Sequence, residues 1–468
     1  MMPGLESTLS TLRQFFPPEY SLQNLENVLT PIFETLKIAA ASMLLVVSGG
    51  LSIALYIGAS LPASRILYAL LTSVRAIPDL TLAIFCVMLL GLGPAAGILA
   101  LTIFYTANMG KVFSDLFASA DPGPVEALRA TGANKLQVAL FGLLPLRVKD
   151  LLTYGGYEFE CATRASVIVG AVGAGGIGAE LVSQIQNVDY HRVTTLVLLL
   201  IVLITLIDFV TRLAIRYPKL LFPILAFGVA ALWGTRPQLF AFRHTLTTLG
   251  AMFPPILPRS DMIKVPALIL ETLEIAVGGT LVAMIFGVLL GLAAARNLTP
   301  WFIHVPIRRF LDSLRAVPEV AWGLILVGLS GLGPGIGVLA LGLHSTGSLG
   351  KLFSESMENV PQEPVTAIAS TGASPLKVAL FAYLPLALPP IAVYSLFRLE
   401  WNMRTATIVG MIGAGGIGEA LYNAQQLMFY QKMTAYLLIT WLLIVITDAV
   451  NARLRYRWRF TEVAPHLA

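Results

Sequence analysis

The chain has 468 residues, of which 56% are hydrophobic and 12% are charged, and its formal net charge is +5. Soluble domains carry about a quarter charged residues, so this composition excludes an ordinary soluble protein and indicates that the lipid bilayer is the main solvent. The small positive excess requires no nucleic-acid partner, because Lys and Arg are retained in the cytoplasmic loops of membrane proteins.

Charged residues precede the first long apolar stretch, which begins near Ile38. We therefore expect an uncleaved first membrane span and no signal peptide. Five helices follow from the apolar segments of the N-terminal half, since about 20 residues suffice to span a bilayer. They are predicted at roughly 31–58, 64–89, 94–117, 148–170 and 190–213, with a polar loop at about 118–147 and one further apolar run at about 220–238.

Several short motifs recur 240 residues apart and divide the chain into two copies of one unit. RAIP at 75–78 returns as RAVP at 315–318, GLGP at 91–94 returns at 331–334, and GAGGIG at 173–178 returns at 413–418. Five spans and one connecting span make six crossings, so both copies enter the membrane in the same direction.

This pattern predicts an all-α polytopic membrane protein with two parallel tandem repeats and about 11 transmembrane helices. The first repeat is expected at 1–216, a connecting helix and outer loop at 217–265, and the second repeat at 266–468. Lys and Arg concentrate in segments 111–149, 212–219, 296–309 and 453–459, which lie on one side in this arrangement. That side is expected to be the cytoplasm.

A polar loop of about 30 residues lies at the same place in both copies and has the composition of short helices. Pro124 and Pro364 are expected at first helical positions, where the missing N–H leaves no acceptor unsatisfied. Gly132 and Gly372 are expected in the turn that ends the helix. Two short helices joined at the glycine are predicted in each copy.

The residues of this loop carry a family resemblance. Glu126-Ala127 is followed by Gly132 and, after eleven residues, by Leu144-Pro145, which resembles the EAA motif of ABC importer permeases. With RxxP, GLGP, GKLF and GAGGIG in the same order, the whole chain resembles the phosphonate-type permeases. The resemblance implies a type I ABC importer (MetI-like) fold in the bacterial cytoplasmic (inner) membrane.

The resemblance also implies a coupling role for the loop and a set of partners. The coupling residues are Glu126, Ala127 and Gly132 in the first copy and Thr366, Ala367 and Gly372 in the second. The implied partners are two cytoplasmic ATP-binding cassette subunits, which carry ATP and Mg, and an outer solute-binding protein. One chain would supply the whole transmembrane dimer. Thr366 replaces the expected Glu, which leaves the equivalence of the two loops open.

The fourth span of each copy contains opposite charges four residues apart, which share a helix face. These are Glu160 with Arg164 and Glu400 with Arg404. Charges at membrane depth often line a substrate path, so the arginines are candidate attractors of an oxyanion. The alternative is that each arginine is neutralised by its own glutamate as a structural pair, and both remain open.

The two GAGGIG segments match GxGxxG but lack the βαβ context of a dinucleotide-binding site. Glycine permits close backbone approach or a re-entrant turn. The glycines therefore either serve packing or line the translocation pathway. They are Gly173, Gly175 and Gly176 in the first copy and Gly413, Gly415 and Gly416 in the second.

Four other charged residues are repeated in the apolar segments. Arg75 and Arg315, each three residues before a proline, are predicted near a kink or helix end. Asp208 and Asp448 in the last span are predicted partners of interior basic groups or amides.

No GxxxxGK[ST] phosphate loop occurs in the sequence, so we do not expect this chain to be the ATPase. It also has no metal-ligand spacing such as CxxC. We therefore expect no cofactor, no metal site and no enzymatic activity in this chain. The predicted function is ATP-driven import of phosphonates or related phosphorus oxyanions, such as phosphite and hypophosphite, by alternating access. The alternatives are an ABC importer permease for another small solute, such as an amino acid, and a secondary transporter with tandem repeats.

Overall fold

The computed structural model describes residues 17–18, 22–75, 77, 79–187, 189–239 and 242–457. Every regular element in these ranges is helical. The contacts divide the chain into two compact units, Gln14–Pro254 and Pro255–Ala468. The boundary falls after the connecting segment, so that segment belongs with the first copy.

The described residues of the first unit form eleven α-helices. They are α1 Leu22–Gly58, α2 Ser64–Arg75, α3 Asp79–Leu90, α4 Pro94–Ala118, α5 Pro122–Ala130, α6 Lys135–Val138, α7 Leu144–Val169, α8 Gly176–Gln186, α9 Tyr190–Arg216, α10 Leu221–Leu239 and α11 Phe242–Met252.

The second unit repeats this order without counterparts of α10 and α11. Its helices are α12 Arg259–Met262, α13 Val265–Ala294, α14 Trp301–Ala316, α15 Glu319–Ser330, α16 Pro334–Glu358, α17 Gln362–Ala369, α18 Pro375–Val378, α19 Leu384–Val409, α20 Gly416–Gln426 and α21 Tyr430–Arg457.

Six helical stretches of the described ranges are long and apolar enough to cross a membrane, or eight if each of two bent pairs forms one span. Three predicted spans are not among these eight: the connecting helix and the second and third spans of the second copy. The apolar parts of the connecting helix and of α15 are short, at 222–235 and 319–330. The all-α membrane fold is confirmed, and the number eleven stays a prediction.

Helix α9 illustrates why these segments are membrane helices. Leu198, Val202, Leu206 and Phe209 are 44–61% exposed and recur every three or four residues. Leu196 and Leu200, on another face of α9, are at most 1% exposed. One face therefore packs against protein, while the other is apolar and open, which suits lipid contact.

The predicted second span is two helices instead of one. Helices α2 and α3 meet at an angle of 91° after Arg75, and α14 ends at Ala316 before α15 begins at Glu319. Val317, which precedes Pro318, is extended with ψ 121°, as steric contact with a following proline ring requires. The predicted helix end at Arg75 and next to Arg315 is confirmed. Pro78 lies outside the described residues.

Helix α10 lies where the connecting helix is predicted and packs on α1 of the same unit, while its crossing of the membrane stays a prediction. The Phe33 and Phe227 rings meet edge to face at 5.6 Å. A Cβ added to Gly228 would lie 2.9 Å from the Ala40 carbonyl oxygen, so the two helix backbones approach closely. The small residue is what allows this packing.

Candidate coupling and translocation site

Each copy carries a short helix between its third and fourth spans, α5 in the first unit and α17 in the second. The Gly123 amide donates to the Asp121 side chain at 3.0 Å at the start of α5, which satisfies one free N-terminal amide. Beyond the helix ends, Gly132 has φ +84° and Gly372 has φ +78°. Both are left-handed conformations that glycine adopts without a Cβ penalty, so the predicted glycine turn is confirmed.

The helix starts differ from the prediction. Pro124 and Pro364 are the third residues of helices that begin at Pro122 and Gln362. The prolines remain harmless there because amides of the first turn have no intrahelical acceptor. The second short helix of each loop continues into the fourth span, so helical structure runs over 135–174. The polar loop is therefore shorter than 118–147.

The two short helices bury equivalent residues and expose equivalent faces. Val125 and Val365 are 7% and 5% exposed, and Val365 packs in a cluster with Phe353 and Tyr383. The predicted coupling residues Glu126, Ala127, Thr366 and Ala367 are all exposed. Each unit thus buries a valine of its short helix and leaves Glu126-Ala127 or Thr366-Ala367 exposed.

The exposed faces differ in charge. Glu126 makes no ion pair with any residue in the described part of the chain. Thr366 donates its hydroxyl to the carbonyls of Gln362 and Glu363 in its own helix, at 3.0 and 2.9 Å. Only the first helix therefore offers a carboxylate at this position.

The GAGGIG segments break the fourth span and start a new helix. Gly173, Gly175 and Gly176 have φ of +117°, +92° and +72°, and Gly413, Gly415 and Gly416 have +111°, +95° and +73°. The Gly93 amide donates to the Gly173 carbonyl at 2.9 Å, and Gly333 donates to Gly413 at 3.0 Å. A backbone hydrogen bond therefore joins the GLGP and GAGGIG motifs in each unit.

A Glu-Thr pair near the start of each copy caps the helix that follows the glycines. The Gly176 amide donates to Glu34 Oε2 at 2.8 Å and the Ile177 amide to Thr35 Oγ1 at 2.9 Å. The second unit repeats this with Glu271 and Thr272, at 2.8 and 3.0 Å. A carboxylate at a helix N-terminus satisfies free amides and the helix dipole.

These capping residues were missed as functional candidates, although the repeated Glu-Thr-Leu at 34–36 and 271–273 was a usable signal. The caps supply structural partners for the glycine segments. They favour packing as the role of Gly175, Gly176, Gly415 and Gly416, and a role in lining the pathway stays a prediction.

The charged pairs of the fourth span have different partners in the two copies. Arg164 pairs with Glu160 in the same helix. Arg404 reaches Asp448 of α21, with Nη2 and Oδ2 2.6 Å apart, and the expected pairing of Glu400 with Arg404 stays a prediction. The predicted role of Asp448 as partner of an interior basic group is confirmed. The Asp208 side chain lies outside the described residues.

A buried carboxylate one turn before Cys161 was also missed. Glu158 is 1% exposed, and its Oε1 accepts a hydrogen bond from Asn108 Nδ2 at 2.5 Å. The same nitrogen lies 3.1 Å from the Tyr154 hydroxyl. A sequence signal existed, because the position 240 residues later holds Arg398, an ionisable residue of opposite sign.

The chain matches one protein family twice. The family described as binding-protein-dependent transport system inner membrane component matches residues 46–217 and again 287–460. These two matches cover most of the chain and coincide with the two repeats, so the predicted doubling is confirmed.

Named relatives fall in one group of transport proteins. The chain is 30% identical to the phosphate-import permease protein PhnE of Mycolicibacterium smegmatis, over 83% of this chain and 77% of that protein. It is 40% identical to the phosphite transport system permease protein PtxC of Stutzerimonas stutzeri, over 41% of this chain and 70% of that protein. A protein of Escherichia coli named as a cryptic phosphonate transport system permease, PhnE2, is 42% identical over 24% of this chain and 93% of its own length.

Among solved structures, a chain of the inward-facing MetNI methionine ABC transporter aligns with 42% of this chain and 97% of its own length, at 16% identity and a TM-score of 0.38. That likeness is too distant to bear on substrate. The double family match excludes the alternative of a self-contained secondary transporter, because members of this family work with separate partners. The chain therefore belongs to the binding-protein-dependent transport system inner membrane components, the multi-pass permease subunits of ABC importers.

Proposed function

We propose that this permease imports phosphonates or related phosphorus oxyanions, such as phosphite and hypophosphite, across the cytoplasmic membrane by alternating access. The names of the relatives carry this proposal. Two of them, with 30% and 40% identity, are named for phosphate import and phosphite transport. A third, of 42% identity, is named for phosphonate transport.

We also propose that the chain supplies both transmembrane halves and binds two cytoplasmic ATPase subunits through its two short helices. The support is the repetition of one geometry. α5 and α17 are each anchored by one buried valine and expose the positions of Glu126-Ala127 and Thr366-Ala367. ATP and Mg would bind to the ATPase subunits, and an outer solute-binding protein would deliver the substrate.

In this proposal the coupling turns at Gly132 and Gly372 fix the short helices, so that ATPase closure moves the adjoining fourth spans. The helical path from Lys135 to Val169, which includes a π-helical segment at Ala139–Leu143, supports this transmission, because it joins the loop to the fourth span without an irregular break. The assignment of Glu160, Arg164, Glu400 and Arg404 to the pathway stays a prediction. The carboxylate partners of both arginines favour the structural alternative.

The test is reconstitution of the chain in proteoliposomes with its ATPase subunit and solute-binding protein. ATP-dependent uptake and ATPase stimulation are measured with alkylphosphonate, phosphite, hypophosphite, phosphate and methionine. We expect stimulation by one or more phosphorus oxyanions and no uptake when the ATPase is omitted. Stimulation by methionine alone would overturn the substrate assignment.

A further inference from the structure

An apolar cavity of the first unit lies between α1, α7, α9 and α10 and has a volume of about 260 Å³. Its walls are mainly aliphatic, and Thr211 is the one polar side chain among its described lining residues. Met43 of α1 and Leu151 of α7 line the cavity and are 5% and 7% exposed. Such walls suit a hydrocarbon occupant, because a polar solute would lose its hydrogen bonds there.

The cavity extends over one half of the membrane. At Ala40, which lines it, α1 and α10 come into close contact, since a Cβ added to Gly228 would lie 2.9 Å from the Ala40 carbonyl oxygen. The lining residues of α1 continue from there to Leu51, a distance of about 16 Å along the helix axis. One leaflet contributes about 15 Å to the hydrocarbon core of a bilayer. The length of the cavity therefore matches an acyl chain that enters from a single leaflet.

The cavity also opens on the surface of the unit. Val148 of α7 and Leu225 of α10 line it and are 44% and 42% exposed. An acyl chain can therefore enter sideways from the bilayer and stay in contact with apolar groups throughout.

Basic residues predominate at the predicted cytoplasmic ends of the helices that form the cavity. Segments 144–152 and 211–225 contribute lining residues and contain five basic residues and one acidic residue. The acidic residue, Asp150, pairs with Arg147 at 3.0 Å. Clusters of basic residues next to membrane helices attract anionic lipid headgroups. The other basic residues at this end include three exposed ones, Lys149, Arg216 and Lys219.

The second unit has a similar groove without these two features. Leu281 of α13 and Leu388 and Leu399 of α19 line it, but the described residues of that unit include no counterpart of α10. Segment 384–392, which matches 144–152, contains no charged residue. The wall formed by α10 and the basic start of α7 therefore distinguish the cavity of the first unit.

We propose that the cavity of the first unit binds an acyl chain of an anionic phospholipid from the predicted cytoplasmic leaflet. Lys149, Arg216 and Lys219 attract its headgroup, and the close contact of Gly228 with α1 ends the path of the chain near the middle of the membrane. The proposal does not depend on the transported substrate, because the cavity contains none of the residues assigned to the translocation pathway.

Photocrosslinking in nanodiscs that contain the full chain tests the location of the lipid. The probe is phosphatidylglycerol with a diazirine group on one acyl chain, and mass spectrometry identifies the crosslinked residues. We expect crosslinks at Met43 and Leu151, which lipid outside the cavity does not reach because both side chains are at most 7% exposed.

Filling the cavity should remove these crosslinks. Gly155 lines the cavity, and its Cβ would meet no atom within 4 Å. Gly155→Leu should therefore lower the crosslinks at least about tenfold, the effect of displacing two or more buried methylene groups. Gly155→Ala is the control and should keep them, because it adds a single methyl group. Val47→Phe fills the cavity from α1 and decides the question if Gly155→Leu does not fold.

Unlabelled host lipids test the headgroup. Nanodiscs of phosphatidylglycerol should suppress the crosslinks more strongly than nanodiscs of phosphatidylcholine with the same acyl chains. Lys149→Gln should reduce this preference by about fivefold, the contribution of one basic residue near an anionic surface. Arg309→Gln removes an exposed charge of α14 in the second unit and should leave the preference unchanged.

The proposal is wrong if the parent chain gives no crosslinks at Met43 and Leu151, which would mean that protein fills the cavity. It is also wrong if folded Gly155→Leu, or Val47→Phe in its place, keeps the crosslinks within about twofold of the parent. Equal suppression by the two host lipids, or an unchanged preference in Lys149→Gln, would overturn the assignment of an anionic headgroup.

Discussion

Glu126 and Thr366 occupy equivalent exposed positions on α5 and α17 but differ in charge. The exposed carboxylate of Glu126 is available to a basic partner surface, whereas the Thr366 hydroxyl is bound within its own helix. Because neither side chain supports the core, a change at either position should act on the partner and leave the fold intact.

We expect Glu126→Ala to weaken binding of the ATPase subunit by up to about fivefold, since an exposed charge pair contributes up to about 1 kcal/mol. Thr366→Ala is the matched control and should change binding by less than about twofold, within the effect of a typical surface substitution. Titration of the purified ATPase onto the chain in nanodiscs measures both. Raised salt should reduce the effect of Glu126→Ala, and equal losses in the two variants would contradict the expected asymmetry.

Residue partnerships were only partly predictable. The pairing of Arg164 with Glu160 follows from their spacing of four on one helix. The spacing of residues along α19 gives no signal for the salt bridge of Arg404 with Asp448, which lies on a neighbouring helix. Spacing along one helix cannot show which side chain of another helix faces the same point.

At the scale of elements, the fourth span of each copy is interrupted by glycine and followed at once by a helix that packs back on it. The angle between 135–174 and the helix after it is 60°. A Cβ added to Gly178 would overlap the Val167 carbonyl oxygen, and one added to Gly418 would overlap that of Thr407. Glycine at these two positions is therefore required by the contact of two backbones.

Gly178→Ala and Gly418→Ala should each lower the free energy of unfolding by at least about 1–3 kcal/mol, because overpacking forces the backbones apart. Gly155→Ala is the control: it lies within α7, and its Cβ would meet no atom within 4 Å. That change should be neutral or stabilising by about 0.5–1 kcal/mol. Thermal melting of the detergent-purified chain compares the three, and an unchanged melting temperature for Gly178→Ala would contradict the close packing of α7 and α8.

The whole molecule consists of two compact units that repeat one order of helices. The odd number of spans predicted in each copy requires one extra crossing if the copies are to be parallel. Helix α10 provides an apolar segment at that place. A parallel arrangement would place both short helices, and with them both proposed ATPase contacts, on the cytoplasmic side.

Cysteine labelling tests this arrangement. In a chain with Cys86→Ala and Cys161→Ala, we expect Asn134→Cys and Ser374→Cys, both at exposed positions, to react with a membrane-impermeant maleimide in inside-out vesicles only. Ile256 lies in the predicted outer loop and is 51% exposed. Ile256→Cys should therefore react in right-side-out vesicles only. Labelling of positions 134 and 374 from opposite sides would show inverted repeats instead.

Composition, hydropathy and internal repetition were sufficient to determine an all-α membrane protein of two copies and the glycine turns after α5 and α17. These properties depend on residues close together in the chain, which the sequence displays directly. Only the tertiary structure showed that Glu34 caps a helix 142 residues away, that Arg404 binds Asp448 and that Ser345 accepts a hydrogen bond from Arg398. Such partners are determined by how helices pack, and a period of 3.6 residues gives a helix a face without specifying what that face meets.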